Sequence, residues 1–298
     1  MLFDEMIRAN EVKHLCGRLK IDSNRVTVKP ISNGLSNRAF RFSYGKKNWM
    51  VRLPKNNLKE RFQTLDYSTE KRLLQSVSKA GLTPTVIFDD ESTGALVTTF
   101  LNNAITWDST MLSQPENLGR IAETLSSLHS INVGFRLPLF RPTTLCESYF
   151  NVLKGSQDHK NRTFNIEQKN WQIELRQLAI MYEKTFSPIT LCHHDLIAAN
   201  ILDSDQLWLV DFEYAVQAHP ILDIASLIAL NGLNMNQYPL LLESYFKEEL
   251  IPFNYSQLDD VIRLERLISY FWALVEMDSS VKMSKIEGFA ESIAAMLR

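Results

Sequence analysis

The chain has 298 residues, 45% of them hydrophobic and 22% charged, with a formal net charge of −2. That is the balance of an ordinary soluble protein, and it excludes a surface built to attract nucleic acid or an anionic membrane. At roughly 150 residues per domain the length suggests two lobes.

The first residues, Met1-Leu-Phe-Asp-Glu-Met-Ile-Arg8, carry acids where a signal peptide carries bases. No uninterrupted apolar run is long enough to span a bilayer, so a cytoplasmic protein with no membrane partner is expected. Cys16, Cys146 and Cys192 are odd in number and far apart, which fits reduced thiols and no zinc pattern. Cys192 reads as a buried structural thiol.

Phe3, Ile7, Val12, Leu15 and Leu19 recur at helical intervals and predict a helix over 4–20. Three strands follow, over 25–31, 39–44 and 48–53, the last two joined by a hairpin at Gly45-Lys-Lys47. Between the first two lies Ile31-Ser-Asn-Gly-Leu-Ser-Asn37. Gly34 permits close backbone approach there, and Ser32, Asn33, Ser36 and Asn37 offer hydrogen bonds to phosphate oxygens. The same composition also describes a plain hairpin turn. Arg52 closes the third strand, and the next helix, Ser68 to its stop at Gly81, carries Glu70. Glu70 is either the partner acid of Arg52 or a solvated helix glutamate. Two more strands, over 82–89 and 95–100, complete a five-stranded antiparallel sheet, and Leu101-Asn-Asn-Ala104 reads as a hinge. The boundary falls there, giving 1–101 and 102–298.

From Pro115 the pattern is helical, with Leu118, Ile121, Ala122, Leu125 and Leu128 on one face. His129 reads as a satisfied helix-end histidine. Residues 154–165 form a polar connection, and Ile166 to Lys184 another long helix. The chain then reaches Leu191-Cys-His-His-Asp-Leu-Ile-Ala-Ala-Asn-Ile-Leu202. Asp203-Ser-Asp205 is a turn, and the alternation in Gln206-Leu-Trp-Leu-Val-Asp211 a strand, so a hairpin returns Asp211 beside Asn200. Asp223 opens a further helix, and the last large helix, over 256–279, spaces Glu265, Trp272 and Glu276 by seven and four positions on one face. An indole and two carboxylates suit a cationic ligand, and an aromatic stripe equally describes packed core.

Asp195 and Asn200 end a D-L-x-x-x-N run, and Asp211 heads D-F-E, the order of the kinase catalytic-loop and metal-binding motifs. Phosphoryl transfer needs one carboxylate facing the attacking hydroxyl and two oxygen ligands for magnesium on the triphosphate. Asp195 fits the first task; Asn200 and Asp211 fit the second. The chain carries neither G-x-x-x-x-G-K-[ST] nor G-x-G-x-x-G.

His193-x-Asp195-Leu196-x-x-x-Asn200 with Asp211-Phe-Glu-Tyr-Ala215 resembles the choline/ethanolamine kinase and aminoglycoside phosphotransferase superfamily, which includes bacterial thiamine and lipopolysaccharide choline kinases. D-F-E-Y-A is most similar to the choline-kinase branch. The resemblance implies an α+β, bilobal protein-kinase-like fold, with a small antiparallel sheet in the nucleotide-binding lobe and a mostly helical catalytic lobe. It implies ATP and Mg2+, with the loop over 31–37 similar to a G-G-x-T-N phosphate loop and Arg52 standing where kinases carry the lysine of V-A-I-K. His193 and Asp223 are implied to brace the catalytic loop. Phe271-Trp-Ala-Leu-Val-Glu276 resembles the F-W-G-L-W of choline kinases, with Val275 in place of the second tryptophan, and makes Trp272 and Glu276, with Glu213, the implied acceptor-binding residues. Choline kinases often carry an acid and a tryptophan where this chain has Leu230 and Asn231. The expected activity is transfer of the ATP γ-phosphate to a small cationic alcohol. Thiamine kinase, aminoglycoside phosphotransferase and a catalytically silent nucleotide-binding fold are the alternatives, and no A-P-E segment points to a protein kinase.

Overall fold

Period-two alternation builds the first sheet. In the strand Lys47–Pro54, Trp49, Val51 and Leu53 are buried on one face while Met50 and Arg52 turn to the other. The computed structural model describes residues 7–31, 37–54, 65–155, 164–277 and 283–298. It divides into two compact units, Met1–Glu60 with Asp66–Ala104, and Arg61–Leu65 with Ile105–Arg298.

The first unit contains α1 (Ala9–Leu19), β1 (Thr27–Pro30), β2 (Asn37–Tyr44), β3 (Lys47–Pro54), α2 (Tyr67–Lys79), β4 (Val86–Asp90) and β5 (Ala95–Thr99). The sequence predicts five strands in one antiparallel sheet; they pair in the order β1-β2-β3-β5-β4, antiparallel throughout. Leu15 and Cys16 of α1 pack on Phe40, Phe42, Trp49, Val51, Leu53, Ala95 and Val97, so α1 covers the apolar face of the sheet. Gly45 takes φ +60° in the β2–β3 hairpin, where a side chain would be strained. Asp66 caps α2 by accepting from the Thr69 amide, and bonds from Thr69 and Ser68 hold its carboxyl down at about 2. β4 starts at Val86, four residues later than the apolar run from Leu82, because Leu82 and Thr83 are still in the bend after α2.

The second unit holds β6 (Ile105–Thr106), α3 (Ser109–Leu112), α4 (Pro115–His129), α5 (Pro142–Gly155), α6 (Ile166–Thr185), β7 (Thr190–Cys192), β8 (Ile201–Asp203), β9 (Leu207–Leu209), β10 (Val216–Ala218), α7 (Ile221–Asn231), α8 (Tyr238–Phe246), α9 (Tyr255–Met277) and α10 (Met283–Leu297). Every residue of α7 from Ile221 to Ala229 is buried, which makes it the central rod of this unit. It packs on α9, which in turn packs on α10; α4 packs on α8 and α5 on α6. Short strands carry the loops between these helices, β7 with β10 and β6-β8-β9. Among the described residues no helix is long and apolar enough to cross a membrane. A small antiparallel sheet with a mostly helical second unit is the α+β, protein-kinase-like class.

Candidate active site

The D-L-x-x-x-N run folds as an irregular loop after β7 that closes in a 3-10 turn, Ala198–Asn200, before entering β8. Asn200 Nδ2 donates to the Asp195 carbonyl at 2.9 Å and to Asp195 Oδ2 at 2.8 Å, tying the two ends of the motif together. In the β8–β9 hairpin Ile201 pairs with Leu209, and the Val210 amide donates to the Asn200 carbonyl at 3.0 Å. The next residue, Asp211, is thereby returned to the loop. Asp211 (φ +68°, ψ +62°) and His194 (φ +60°) both take left-handed backbone, a conformation that costs energy and gathers at working sites.

Three acids share this corner, and the electrostatics register it. Burial pushes the Asp195 carboxyl up to about 7, the charge of Asp211 adds to this, Glu213 adds less, and the bond from Asn200 opposes them. Near neutrality such a carboxylate can accept a proton as readily as it gives one up.

The loop is braced from behind. His193 is fully buried; its Nε2 donates to the Val210 carbonyl at 3.0 Å and its Nδ1 accepts from the Asp195 amide at 3.3 Å. A carbonyl only accepts and an amide only donates, so these partners fix the neutral Nε2–H tautomer, and burial lowers the ring's pKa to match. Asp223, fully buried in the first turn of α7, accepts from the His193 amide (Oδ2) and the His194 amide (Oδ1), both at 2.8 Å. His129 Nε2 meets Asp223 Oδ2 at 3.0 Å, and its Nδ1 meets the Tyr245 hydroxyl at 2.6 Å. Burial would raise the Asp223 carboxyl, but His129 and His193 outweigh it and hold the group below the usual range. Cys192, His129 and Asp223 lie close enough to share an ion, yet burial, followed by the Asp223 charge, drives the thiol far up, so it stays a neutral packing group.

In the first unit, Arg52 Nη2 donates to Glu70 Oε1 at 2.5 Å, joining β3 to α2 on the face opposite α1. Both side chains are largely shielded, 20% and 11% exposed, so Glu70 is a paired acid and not a solvated one. Ser32, Asn33, Gly34 and Ser36 lie outside the described residues. Asn37 begins β2, opposite Pro54, with its side chain undescribed.

The three residues singled out on the last large helix have different surroundings. Glu265 is buried and faces His194 Nε2 at 3.5 Å, an ion pair too long for a hydrogen bond. Burial is the largest influence on the His194 pKa and lowers it, but Glu265, with smaller help from Asp223 and Asp195, raises it by more in sum, leaving a net rise. The acid that sequence alone offers to a ligand is thus engaged inside the fold. Trp272 is half-buried, its ring edge-on to Phe289 of α10 with centroids 6.0 Å apart. Glu276 is also half-buried; burial first, then the charges of Glu265 and Glu276, push the Tyr149 phenol far up. Glu213 is buried, and its carbonyl accepts from the Leu65 amide at 2.8 Å. Sequence reading gives no sign of three contacts: His129 to Asp223, His194 to Glu265, and Asn231, whose side chain accepts from the Ala198 amide and donates to the Leu196 carbonyl. Each joins residues far apart in the chain.

Residues 27–261 match the model of the phosphotransferase enzyme family. The chain belongs to that family. Among curated relatives, protein LicA of Haemophilus influenzae (strain ATCC 51907 / DSM 11121 / KW20 / Rd) is 28% identical over 171 residues, covering 56% of this chain and 61% of LicA. The chain thus spans about three fifths of that relative. Choline kinase LicA from Streptococcus pneumoniae has a similar fold, with a TM-score of 0.78 at 18% identity over 97% of this chain and 98% of that one. A choline/ethanolamine kinase family protein from Mesorhizobium loti gives 0.75 at 22% identity, over 91% and 86%.

Proposed function

We propose that this phosphotransferase moves the γ-phosphate of ATP to the hydroxyl of a small cationic alcohol, as a choline/ethanolamine kinase does. The observation that carries the proposal is the tie between Asp195 and Asn200 together with the hairpin that returns Asp211 to them. Membership of the phosphotransferase enzyme family supports the reaction type, and the likeness to LicA and to choline/ethanolamine kinases supports the acceptor class.

Asp195 takes the part of the group that orients the acceptor hydroxyl and receives its proton as the bond to phosphorus forms. A carboxyl near neutrality is suited to that work, because a base with pKa close to the working pH combines availability with driving force. Asn200 and Asp211 would hold magnesium. Both side-chain bonds of Asn200 are donated by Nδ2, which leaves its amide oxygen for a ligand, and a hard cation takes an amide oxygen with a carboxylate. When bound, the ion offsets charge on the phosphates. In the first unit Arg52, held by Glu70, takes the part of the phosphate-binding cation; its permanent charge and forked donors suit phosphate oxygens as well as they suit Glu70. Residues 32–37 take the part of the phosphate loop. Trp272, Glu276 and Glu213 are assigned to the acceptor, whose cationic head would meet an indole and carboxylates.

The test is magnesium-dependent ATP consumption with choline, ethanolamine, thiamine, kanamycin and a buffer blank. Turnover with choline or ethanolamine above the blank is expected. Turnover with kanamycin alone would move the protein to the aminoglycoside branch, and none with any acceptor would defeat the proposal.

A further inference from the structure

The loop between Asp195 and Asn200 has a local weakness. Its 3-10 turn begins after Ile197, which has no side-chain oxygen to cap the first free amide, and Leu196 lies outside any strand, so its carbonyl has no ladder partner. One side chain from elsewhere answers both. Asn231, the last residue of α7, accepts from the Ala198 amide through Oδ1 at 2.7 Å and donates through Nδ2 to the Leu196 carbonyl at 2.7 Å. The second hydrogen of Nδ2 goes to the Leu227 carbonyl, one turn back in its own helix, at 2.8 Å. An amide donor and two carbonyl acceptors leave only one orientation of the Asn231 side chain.

This completes a two-point attachment. Asp223 in the first turn of α7 grips the amides of His193 and His194, ahead of Asp195. Asn231, eight residues on and about 12 Å along the helix, grips the chain just after it. Between the two anchors α7 is buried at every residue to Ala229, so it offers a stiff template, and Gly232 ends it with φ +67° directly after Asn231. From the first grip to the end of the turn that delivers Asn200, the loop is shaped by α7.

We infer that Asn231 is a positioning residue: it caps the Ala198–Asn200 turn from outside and so sets where the Asn200 side chain meets Asp195. The inference rests on the kinase reading for its consequence in turnover, and on geometry alone for its consequence in the loop. Asn231→Ala removes every bond. Asn231→Asp keeps an acceptor for Ala198 but sets an oxygen against two carbonyls. Asn231→Gln keeps the chemistry one methylene too long.

Two readouts on the full chain test this. In hydrogen–deuterium exchange, the Ala198 amide of Asn231→Ala is expected to exchange at least tenfold faster than in the wild type, while amides in the middle of α7 keep their protection. In steady-state turnover with the best acceptor of the panel, Asn231→Ala is expected to lose roughly 10–100-fold in kcat, the order expected when reacting groups are misplaced by about an ångström, with acceptor KM changed less than threefold. It should also need more magnesium for half-maximal rate. Asn231→Gln should recover part of kcat and Asn231→Asp none. Ile228→Val, buried in α7 and unable to hydrogen-bond the loop through its side chain, serves as the control for simple loss of stability and should keep wild-type kcat. Unchanged exchange at Ala198, or wild-type kcat in Asn231→Ala, overturns the inference. A wild type without turnover would defeat the kinase reading, and the exchange experiment would still decide the place of Asn231.

Discussion

Replacing Asp195 by asparagine should abolish most turnover and yet stabilise the protein, and the stabilisation should depend on pH. The carboxyl is raised to about 7 in the fold, by burial first and then by Asp211 and Glu213. Its unfolded value is about 3.9. Because the folded pKa is the higher one, stability is lost as pH rises from about 4 to about 7 and stays lost above it. The shift of about 3 units sets a ceiling near 4 kcal/mol at 1.36 kcal/mol per unit. Asp195 is only half-buried, so solvent screens part of this, and about 1–2 kcal/mol is the expected gain for Asp195→Asn at pH 8. Asparagine can still accept the bond from Asn200, so the substitution removes charge and little else. For a chain of this size that gain is a rise of about 2–3 °C in Tm. At pH 5 the native carboxyl is already protonated, and roughly a third of the effect should remain. Differential scanning fluorimetry of both proteins at pH 5 and pH 8, without nucleotide, measures it. Equal Tm differences at the two pH values, or a less stable variant at pH 8, would refute the claim that Asp195 carries an unfavourable charge.

Arg52→Lys should retain more activity than Arg52→Ala, because the charge survives while the fork toward Glu70 and phosphate does not; near wild-type ATP KM and kcat in both would remove Arg52 from the phosphate site. Glu265→Gln should lower Tm more at pH 6 than at pH 9. The raised pKa of His194 gives stability that is present below the unfolded value near 6.5 and lost as pH climbs through the folded one, so a pH-independent loss would show the pair is neutral. Trp272→Leu should raise acceptor KM several-fold with ATP KM unchanged, an indole–cation contact being worth roughly 0.5–2 kcal/mol. Glu276→Gln should act in the same direction, and a fall in Tm with unaltered acceptor KM would assign this face to packing of α9 on α10.

What was legible in the sequence was what neighbouring residues decide. The five strands of the first sheet follow from alternation and from turn residues such as Gly45, and both are properties of short windows. The motif Asp195-Leu-x-x-x-Asn200 and the strand that ends before Asp211 are local too, since a hairpin of fixed register needs only the turn between its strands. The short strands β6, β7 and β10 were not legible. Two or three residues carry no period, and they exist because β7 and β10 pair with each other and β6 with β8. α10 is not legible for a related reason: it is held by packing on α9.

The candidate site divides along the same line. Asp223 could be read as a brace because the family resemblance implies an aspartate there, after D-F-E at the start of a helix. His129 could not. It closes a helix in a way that many histidines do, and only tertiary packing brings its ring to Asp223, 94 positions later. Glu265 shows how local reading misleads: helical spacing puts it on a face with Trp272 and Glu276 and offers it to a ligand, whereas the fold spends it on His194. Asn231 is the sharper case. As a residue it stands out only because choline kinases often carry a tryptophan there, which suggests something missing from an acceptor pocket. In the structure it supplies something instead, since its amide fits the Leu196 carbonyl and the Ala198 amide at once, and an indole, which only donates, could not. The residue that weakens one family resemblance thus attaches the loop bearing Asp195, and a tryptophan at position 231 would have to leave the Ala198 amide to another partner.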